Sequence, residues 1–135
     1  MEAQLLFGSG STTVGPEGKK AVIQLAKALG NQEELTILVE GHTDSEKLKG
    51  TGKYKDNWEL SAARAISVVR IMESNSELNQ NMLTAAGRGE YSPIAENDTP
   101  ENMAKNRRIE VILTPDLDKL FEILEEGKTE STPLE

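Results

Sequence analysis

The stretch that decides the fold has two parts, Val39-Glu40-Gly41-His42-Thr43-Asp44 and Asn57-Trp58-Glu59-Leu60-Ser61-Ala62-Ala63-Arg64-Ala65. The first part ends the β-rich, almost continuously apolar run 35–39, which is typical of a buried central strand. The second part begins an amphipathic helix. Asp56 is predicted to cap this helix, and Glu59, three residues later, completes a capping-box-like pair. We therefore predict a strand with an acid, Asp44, at its exit, a polar loop over 45–56, and a helix with an arginine, Arg64, two turns in. The two charged side chains would face one region.

The remaining elements are predicted from turn residues and apolar periodicity, working outward from this stretch. They are a strand at Gln4–Phe7, a helix from Pro16 to Leu29, a strand at Met82–Ala86, a short helix from Thr99, a strand around Ile109–Leu113 and a final helix from Pro115 to Glu126. The order βαβαβ(α)β predicts an α/β (α+β) two-layer sandwich. We expect a mixed four-stranded sheet with helices on one face, plus the C-terminal helix. One domain would span 1–126, followed by a disordered tail over 127–135.

Composition narrows the class of protein. The 135 residues are 28% charged and 36% apolar, as in a soluble globular domain, and no apolar run is long enough to span a membrane. The net charge of −8 and the five aromatic residues argue against a nucleic-acid partner. The absence of cysteine excludes disulfides and thiolate metal sites but leaves the compartment open. The first predicted strand lies almost at Met1, which is expected of an excised domain or of a cytosolic protein.

The acid and the arginine each allow two interpretations from spacing alone. Asn57, Ser61, Arg64 and Val68 lie at i, i+4, i+7 and i+11, so they share one stripe of the helix. A buried guanidinium on that stripe must find hydrogen-bond acceptors. Either a bound ligand supplies them, or the side chain of Arg64 extends to the surface and pairs with an acid there. Asp44 can cap a turn, or it can belong to a site at the carboxyl end of the strand.

Catalysis and metal binding find little support in the residue pattern. His42 is the single histidine, and an isolated histidine is more often a hydrogen-bonded support than a ligand. A metal would need Glu40, His42 and Asp44, whose alternation on a strand end lacks the usual helical ligand spacing. No nucleophile elbow surrounds Ser9, Ser11 or Ser61. We therefore expect no enzyme, no metal and no cofactor.

Taken together, five ordered motifs carry a resemblance to a known family. They are Val-Glu-Gly-His-Thr-Asp at 39–44, Asn-x-x-Leu-Ser-x-x-Arg-Ala-x-x-Val at 57–68, Ala-Gly-Arg-Gly at 86–89, Asn-x-Thr-Pro-Glu at 97–101 and Asn-Arg-Arg-Ile-Glu at 106–110. This pattern resembles the OmpA-like C-terminal (OmpA/MotB) domain over roughly Leu5 to Leu113. Two features depart from it: a long 45–56 loop, and Gly-Ser-Gly-Ser at 8–11 where the family often carries Asp or Asn.

The resemblance implies non-covalent binding of peptidoglycan through the diaminopimelate residue of its stem peptide. By the matching motif positions, Asp44 would take the ligand's ammonium and Arg64 its carboxylate, with Asn57 and Arg107 as supporting contacts. A fixed carboxylate and a planar guanidinium suit such a zwitterionic group on physical grounds as well.

The resemblance also implies a periplasmic domain whose parent protein is anchored in a membrane, which we expect to be the outer membrane. The alternative is a flagellar-stator-type module of the same fold, whose main work is dimerisation or partner binding, because Trp58-Glu59-Leu60-Ser61 resembles that branch equally. A hydrolase that acts on the wall is a third class, for which no nucleophile–base pair is apparent.

Overall fold

A computed structural model describes residues 1–8, 11–30, 35–48, 52–74 and 78–115, together with positions 122, 124 and 125. Three helices and three strands alternate along this part of the chain. They are α1 (Pro16–Leu29), β1 (Leu35–His42), α2 (Asn57–Ser74), β2 (Leu83–Gly87), α3 (Pro100–Asn106) and β3 (Arg108–Pro115). Short 3₁₀ turns lie at Ala3–Leu5 and Gln80–Met82. None of the described helices is long and apolar enough to cross a membrane.

The sheet is mixed, and its order within the described residues is β2-β1-β3. β1 and β2 are parallel, joined by the crossover helix α2, and Val39 is in register with Ala85. β3 runs antiparallel along the other side of β1, where Val39 lies opposite Val111. The central position of β1 agrees with its nearly continuous apolar sequence, since a central strand pairs on both edges and is largely buried.

The core lies between the sheet and helices α1 and α2. Ile37 and Val39 alternate along β1 toward this core and are fully buried. They join one apolar cluster with residues of both helices, among them Val22, Ala26, Val68 and Met72. The two layers therefore bury one continuous core, and the carboxyl end of β1 lies at its rim, where Asp44 follows.

The prediction of a first strand at Gln4–Phe7, and with it of a four-stranded sheet, is wrong for the described residues. Met1 accepts a main-chain hydrogen bond from Ile109 of β3, and Ala3 donates one to the carbonyl of Arg107 just before β3, but the pairing is a single bridge between Glu2 and Arg108. The chain then turns through Ala3–Leu5. A strand would send neighbouring side chains to opposite faces, whereas this turn buries both Leu6 and Phe7 and leaves Leu5 exposed.

The end of the chain is described only in part. The predicted final helix over 115–126 and the predicted tail over 127–135 fall mainly outside the described residues, and both stay predictions. The other predicted elements are present, with β1 extended through Gly41 to His42.

Candidate functional site

Asp44 lies just beyond the end of β1 and is 5% exposed. Its Oδ1 accepts a hydrogen bond from the main-chain N–H of Glu46 at 3.0 Å. Its Oδ2 is ion-paired with the guanidinium of Arg107, which reaches the site from the end of α3. The turn-capping role that the sequence allowed for Asp44 is therefore present, and the second carboxylate oxygen forms an ion pair with Arg107.

Asn57, the first residue of α2, ties the helix to this turn. Its buried side-chain amide donates hydrogen bonds to the carbonyl oxygens of Asp44 at 3.4 Å and Glu46 at 3.1 Å. Asp56 accepts from the N–H of Glu59 at 3.0 Å, so the predicted N-terminal cap is confirmed. The Glu59 carboxylate accepts from the N–H of Lys55 instead of closing the full capping box.

Arg64 is buried on the inner face of α2, with 6% of its surface exposed. Its Nε donates to the carbonyl of Ser11 at 2.9 Å, and Nη2 lies 3.5 Å from the carbonyl of Gly8. The guanidinium carbon lies 5.1 Å from the centre of the Phe7 ring. Gly8 and Ser11, the first and last residues of the Gly-Ser-Gly-Ser segment, thus contact Arg64 through their main-chain carbonyls.

The charge of Arg64 is not balanced by a carboxylate of its own. None of the ion pairs among the described residues involves it. Burial lowers the pKa of Arg64, the nearby Arg107 charge lowers it further, and Asp44 acts in the opposite direction. Asp44, Arg64 and Arg107 therefore form one electrostatic cluster of two cations and one anion. Such a cluster favours a ligand that brings a carboxylate.

The spacing between Arg64 and Asp44 depends on an unusually close approach of α2 to the sheet. A Cβ added to Gly41 would lie 2.1 Å from the carbonyl oxygen of Ser61, and one added to Gly87 would lie 2.6 Å from the nitrogen of Ala62. The buried Ser61 hydroxyl donates to the carbonyl of Trp58 and accepts from the N–H of Gly89, both at 3.0 Å. Glycines near the carboxyl ends of β1 and β2 therefore let the main chain of α2 contact the sheet directly.

Asn106 is a structural residue of the site that the sequence analysis missed. It is fully buried at the end of α3, where its Oδ1 accepts from the N–H groups of Ile94 at 2.8 Å and Ala95 at 3.0 Å. Its Nδ2 donates to the carbonyl of Ala95 and to Oδ1 of Asn97, both at 2.9 Å. Asn97 also accepts from the N–H of Ser45 at 3.3 Å. The Asn-Arg-Arg-Ile-Glu motif at 106–110 was the available signal, because it begins with Asn106 and asparagine side chains commonly bond to main chain.

His42 is buried between two acids, Glu40 on its own strand β1 and Glu110 on the neighbouring strand β3. Its Nε2 lies 3.2 Å from Glu40 and 2.9 Å from Glu110, and these groups could together hold a metal ion. The residues close enough to share a metal ion are thus Glu40, His42 and Glu110. The sequence alone had suggested Asp44 as the third member instead of Glu110. However, Nδ1 is buried and has no hydrogen-bond partner among the residues that the structure describes. Because a metal on Nε2 would place the ring proton on Nδ1, where it needs an acceptor, the arrangement favours an Nε2–H that donates to the acids.

The chain belongs to the OmpA family, whose model matches residues 6–107. Motility protein B of Bacillus subtilis is 33% identical over 111 residues, which are 82% of this chain and 42% of that protein. Outer membrane protein A of Bordetella avium is 36% identical over 109 residues, which are 81% of this chain and 53% of that protein. The chain thus spans about half the length of these relatives.

A solved structure agrees with this assignment at the level of the fold. The cell wall anchor of the type VI secretion system from Pseudomonas aeruginosa superposes with a TM-score of 0.77 at 32% identity. The match covers 86% of this chain and 78% of that one. The resemblance found in the sequence motifs is therefore confirmed by the family model, by relatives and by fold.

Proposed function

We propose that this chain binds peptidoglycan non-covalently through the diaminopimelate residue of the stem peptide, and so anchors an envelope protein to the cell wall. The observation that carries the proposal is the buried guanidinium of Arg64, which has main-chain carbonyl partners but no carboxylate partner among the described residues. In the proposed complex Arg64 takes the ligand's carboxylate and Asp44 its ammonium. Asn57 holds the Asp44 turn in place, and Arg107 provides a second cation.

The charges of the site match a free amino-acid end group. Diaminopimelate presents one ammonium and one carboxylate on the same carbon, so both can meet one cluster. Arg107 already occupies Oδ2 of Asp44, and its side chain is 36% exposed, so it can shift aside or share the carboxylate when an ammonium arrives. Each charge-assisted hydrogen bond contributes roughly 1.5–3 kcal/mol, so two or three of them correspond to affinities from about millimolar up to about micromolar. Because the peptidoglycan polymer repeats this unit many times, the overall avidity for the wall exceeds the affinity for one unit.

An anchoring role without catalysis is part of the proposal. The hydroxyl of Ser61 is held by Trp58 and Gly89, and Nε2 of His42 faces two carboxylates, so neither group is arranged as a nucleophile–base pair. The solved structure with the matching fold is named a cell wall anchor, which supports attachment as the main task. Release of soluble muropeptides during incubation with sacculi would contradict this part of the proposal.

The proposed ligand also sets the proposed compartment. A wall-binding domain must face the wall, so we place it in the periplasm, as the soluble part of a membrane-anchored protein. We propose the outer membrane as the anchor, supported by the similarity to outer membrane protein A. The sequence upstream of this domain in its parent gene tests the anchor: a β-barrel or a lipid-attachment signal supports the outer membrane, and a single apolar helix overturns it.

The proposal is tested by co-sedimentation with diaminopimelate-containing sacculi. Asp44→Ala and Arg64→Ala should each weaken retention by about 10- to 100-fold, the equivalent of one charge-assisted hydrogen bond. Arg70→Ala is the matched control, because Arg70 is exposed on the same helix. Sacculi with lysine in place of diaminopimelate lack the carboxylate for Arg64 and should bind more weakly. Full retention by both site variants would refute the site, and no retention by the wild type would refute the function.

A second candidate function is a stator-type module that works through dimerisation or partner binding. The similarity to motility protein B is the observation that favours it. Analytical ultracentrifugation separates the two candidates: a stable dimer that does not bind sacculi supports the module, whereas a monomer that binds sacculi supports wall anchoring.

A further inference from the structure

A small cavity adjoins the candidate site on the side of the 45–56 loop. Its volume is about 220 Å³, and six of its lining residues matter here: Lys47, Lys55, Asp56, Trp58, Glu90 and Tyr91. Asn57 also lines it, and the same side chain holds the Asp44 turn. Drug-sized ligands occupy pockets of roughly 300–1,000 Å³, so this cavity suits one ring-sized group. The proposed contacts to the stem peptide do not use it.

An exposed aromatic pair forms one wall of the cavity. The rings of Trp58 and Tyr91 are stacked, with centroids 5.0 Å apart and planes inclined by 27°. Trp58 is nevertheless 50% exposed and Tyr91 61% exposed. Large aromatic surface exposed in this way on a small domain commonly marks a binding site, because its burial by a partner is favourable.

The main chain of Gly89 holds the pair in place. Gly89 has φ of +59°, and a Cβ added there would lie 3.3 Å from the ring of Tyr91 and 3.5 Å from that of Trp58. Trp58 is further held at the first turn of α2, where its carbonyl accepts from Ser61. The two rings are therefore preorganised, which lowers the entropic cost of binding a ligand on them.

The polar groups around the rings are balanced in charge. Two lysines and two carboxylates line the cavity, and Lys47 lies 3.7 Å from Glu90. Neither an anion nor a cation is favoured by such a set. A neutral ligand with several hydroxyl or amide groups can instead exchange hydrogen bonds with all four side chains. The apolar C–H face of a pyranose ring suits the electron-rich face of an aromatic side chain, while its hydroxyl groups suit the polar rim.

We propose that this cavity is a saccharide subsite, which takes one N-acetylated sugar ring of the peptidoglycan glycan strand against Trp58 and Tyr91. This inference rests on the proposed function, since the glycan and the stem peptide belong to one polymer. Asn57 links the two sites, so one wall fragment can occupy both. The long 45–56 loop, which the sequence analysis left unexplained, then contributes Lys47, Lys55 and Asp56 to this subsite.

The single tryptophan of the chain makes the test direct, because its fluorescence reports on Trp58 alone. The probe is peptide-free glycan strands, which an amidase releases from sacculi. We expect a saturable fluorescence change with an affinity on the order of millimolar per site. Tyr91→Ala should weaken it at least ~10-fold, the equivalent of ~1.4 kcal/mol. Ile66→Ala, which removes a different exposed apolar side chain from α2, should leave it unchanged.

Failure of this inference is distinguishable from failure of the proposed function. A diaminopimelate-containing tripeptide without sugar is titrated in parallel, by calorimetry. Asp44→Ala should weaken binding of the tripeptide by about 10- to 100-fold and leave the glycan response intact. A tripeptide that binds while the glycan strands cause no change overturns the subsite alone, and so does a glycan response that Tyr91→Ala leaves intact. A glycan response without tripeptide binding supports the subsite and refutes the diaminopimelate site.

Discussion

Arg107 and Asp44 form an ion pair at the candidate site although 63 positions separate them in the chain. The Asp44 side chain is 7% exposed, whereas that of Arg107 is 36% exposed. A buried carboxylate needs a cation or hydrogen-bond donors, and Arg107 supplies the cation while the N–H of Glu46 supplies a donor. The pair therefore joins the end of α3 to the turn after β1.

The first prediction concerns this pair. Arg107→Ala should lower the free energy of unfolding by about 1–2 kcal/mol, because it leaves the buried Asp44 carboxylate without its cation. The partial exposure of Arg107 keeps the loss below that of a fully buried pair. Arg107→Lys should lose less, since it retains the charge. Urea denaturation measures both, with the exposed Lys105→Ala as the control. Equal stability of Arg107→Ala and the wild type would show that the pair contributes nothing.

The second prediction concerns the contact between β1 and α2. Gly41→Ala should destabilise the protein by about 3 kcal/mol or more, because the new methyl group would overlap the main chain of Ser61, which cannot rotate away. Gly52→Ala is the matched control, since, apart from its chain neighbours, no atom of the described residues lies within 4 Å of the added Cβ. Thermal and urea unfolding midpoints provide the comparison. If Gly41→Ala and Gly52→Ala have the same unfolding midpoints, the close helix–sheet approach does not exist in solution.

The third prediction concerns Asn106. Asn106→Ala should cost roughly 2–4 kcal/mol of stability, because it removes the partners of Ile94 N–H and of the Ala95 main chain. It should also weaken binding to sacculi, since Asn97 links Asn106 to Ser45 beside Asp44. Asn102→Ala, in the same helix, loses only an exposed hydrogen bond to Asp98 and should be nearly neutral. A wild-type affinity in a folded Asn106→Ala variant would refute the link to the site.

The fourth prediction concerns pH. Burial and the Arg108 charge lower the pKa of His42 below 6.5, while Glu40 and Glu110 oppose this shift. Between the lowered folded pKa and the unfolded value near 6.5, the unfolded chain binds more protons, so folding stability falls as pH drops below about 6.5. His42→Gln should remove this component. Melting temperatures at pH 7.5, 6.5 and 5.5 measure it, and an identical pH dependence in both proteins would contradict the assignment.

Much of the site could be predicted from the sequence because it depends on the spacing of residues close together in the chain. The capping of α2 by Asp56, the start of α3 at Thr99 and the common stripe of Asn57 and Arg64 all follow from short-range spacing, and the structure contains each of them. The resemblance to the OmpA family rested on ordered motifs of the same kind. The first strand was wrong because the apolar run Leu5-Leu6-Phe7 is equally compatible with a strand and with a buried turn.

Local propensity and motif order were therefore enough to identify the family, the layer arrangement and the charged residues of interest. Pairings across the fold were not accessible in this way. The contact of Arg107 with Asp44, the main-chain acceptors of Arg64 and the aromatic pair of Trp58 and Tyr91 each join residues far apart in the chain. They arise where β1, α2 and the loop before α3 meet, at distances set by glycines that let backbones touch. Spacing along the chain specifies which residues share a face, but only packing in three dimensions specifies which faces meet.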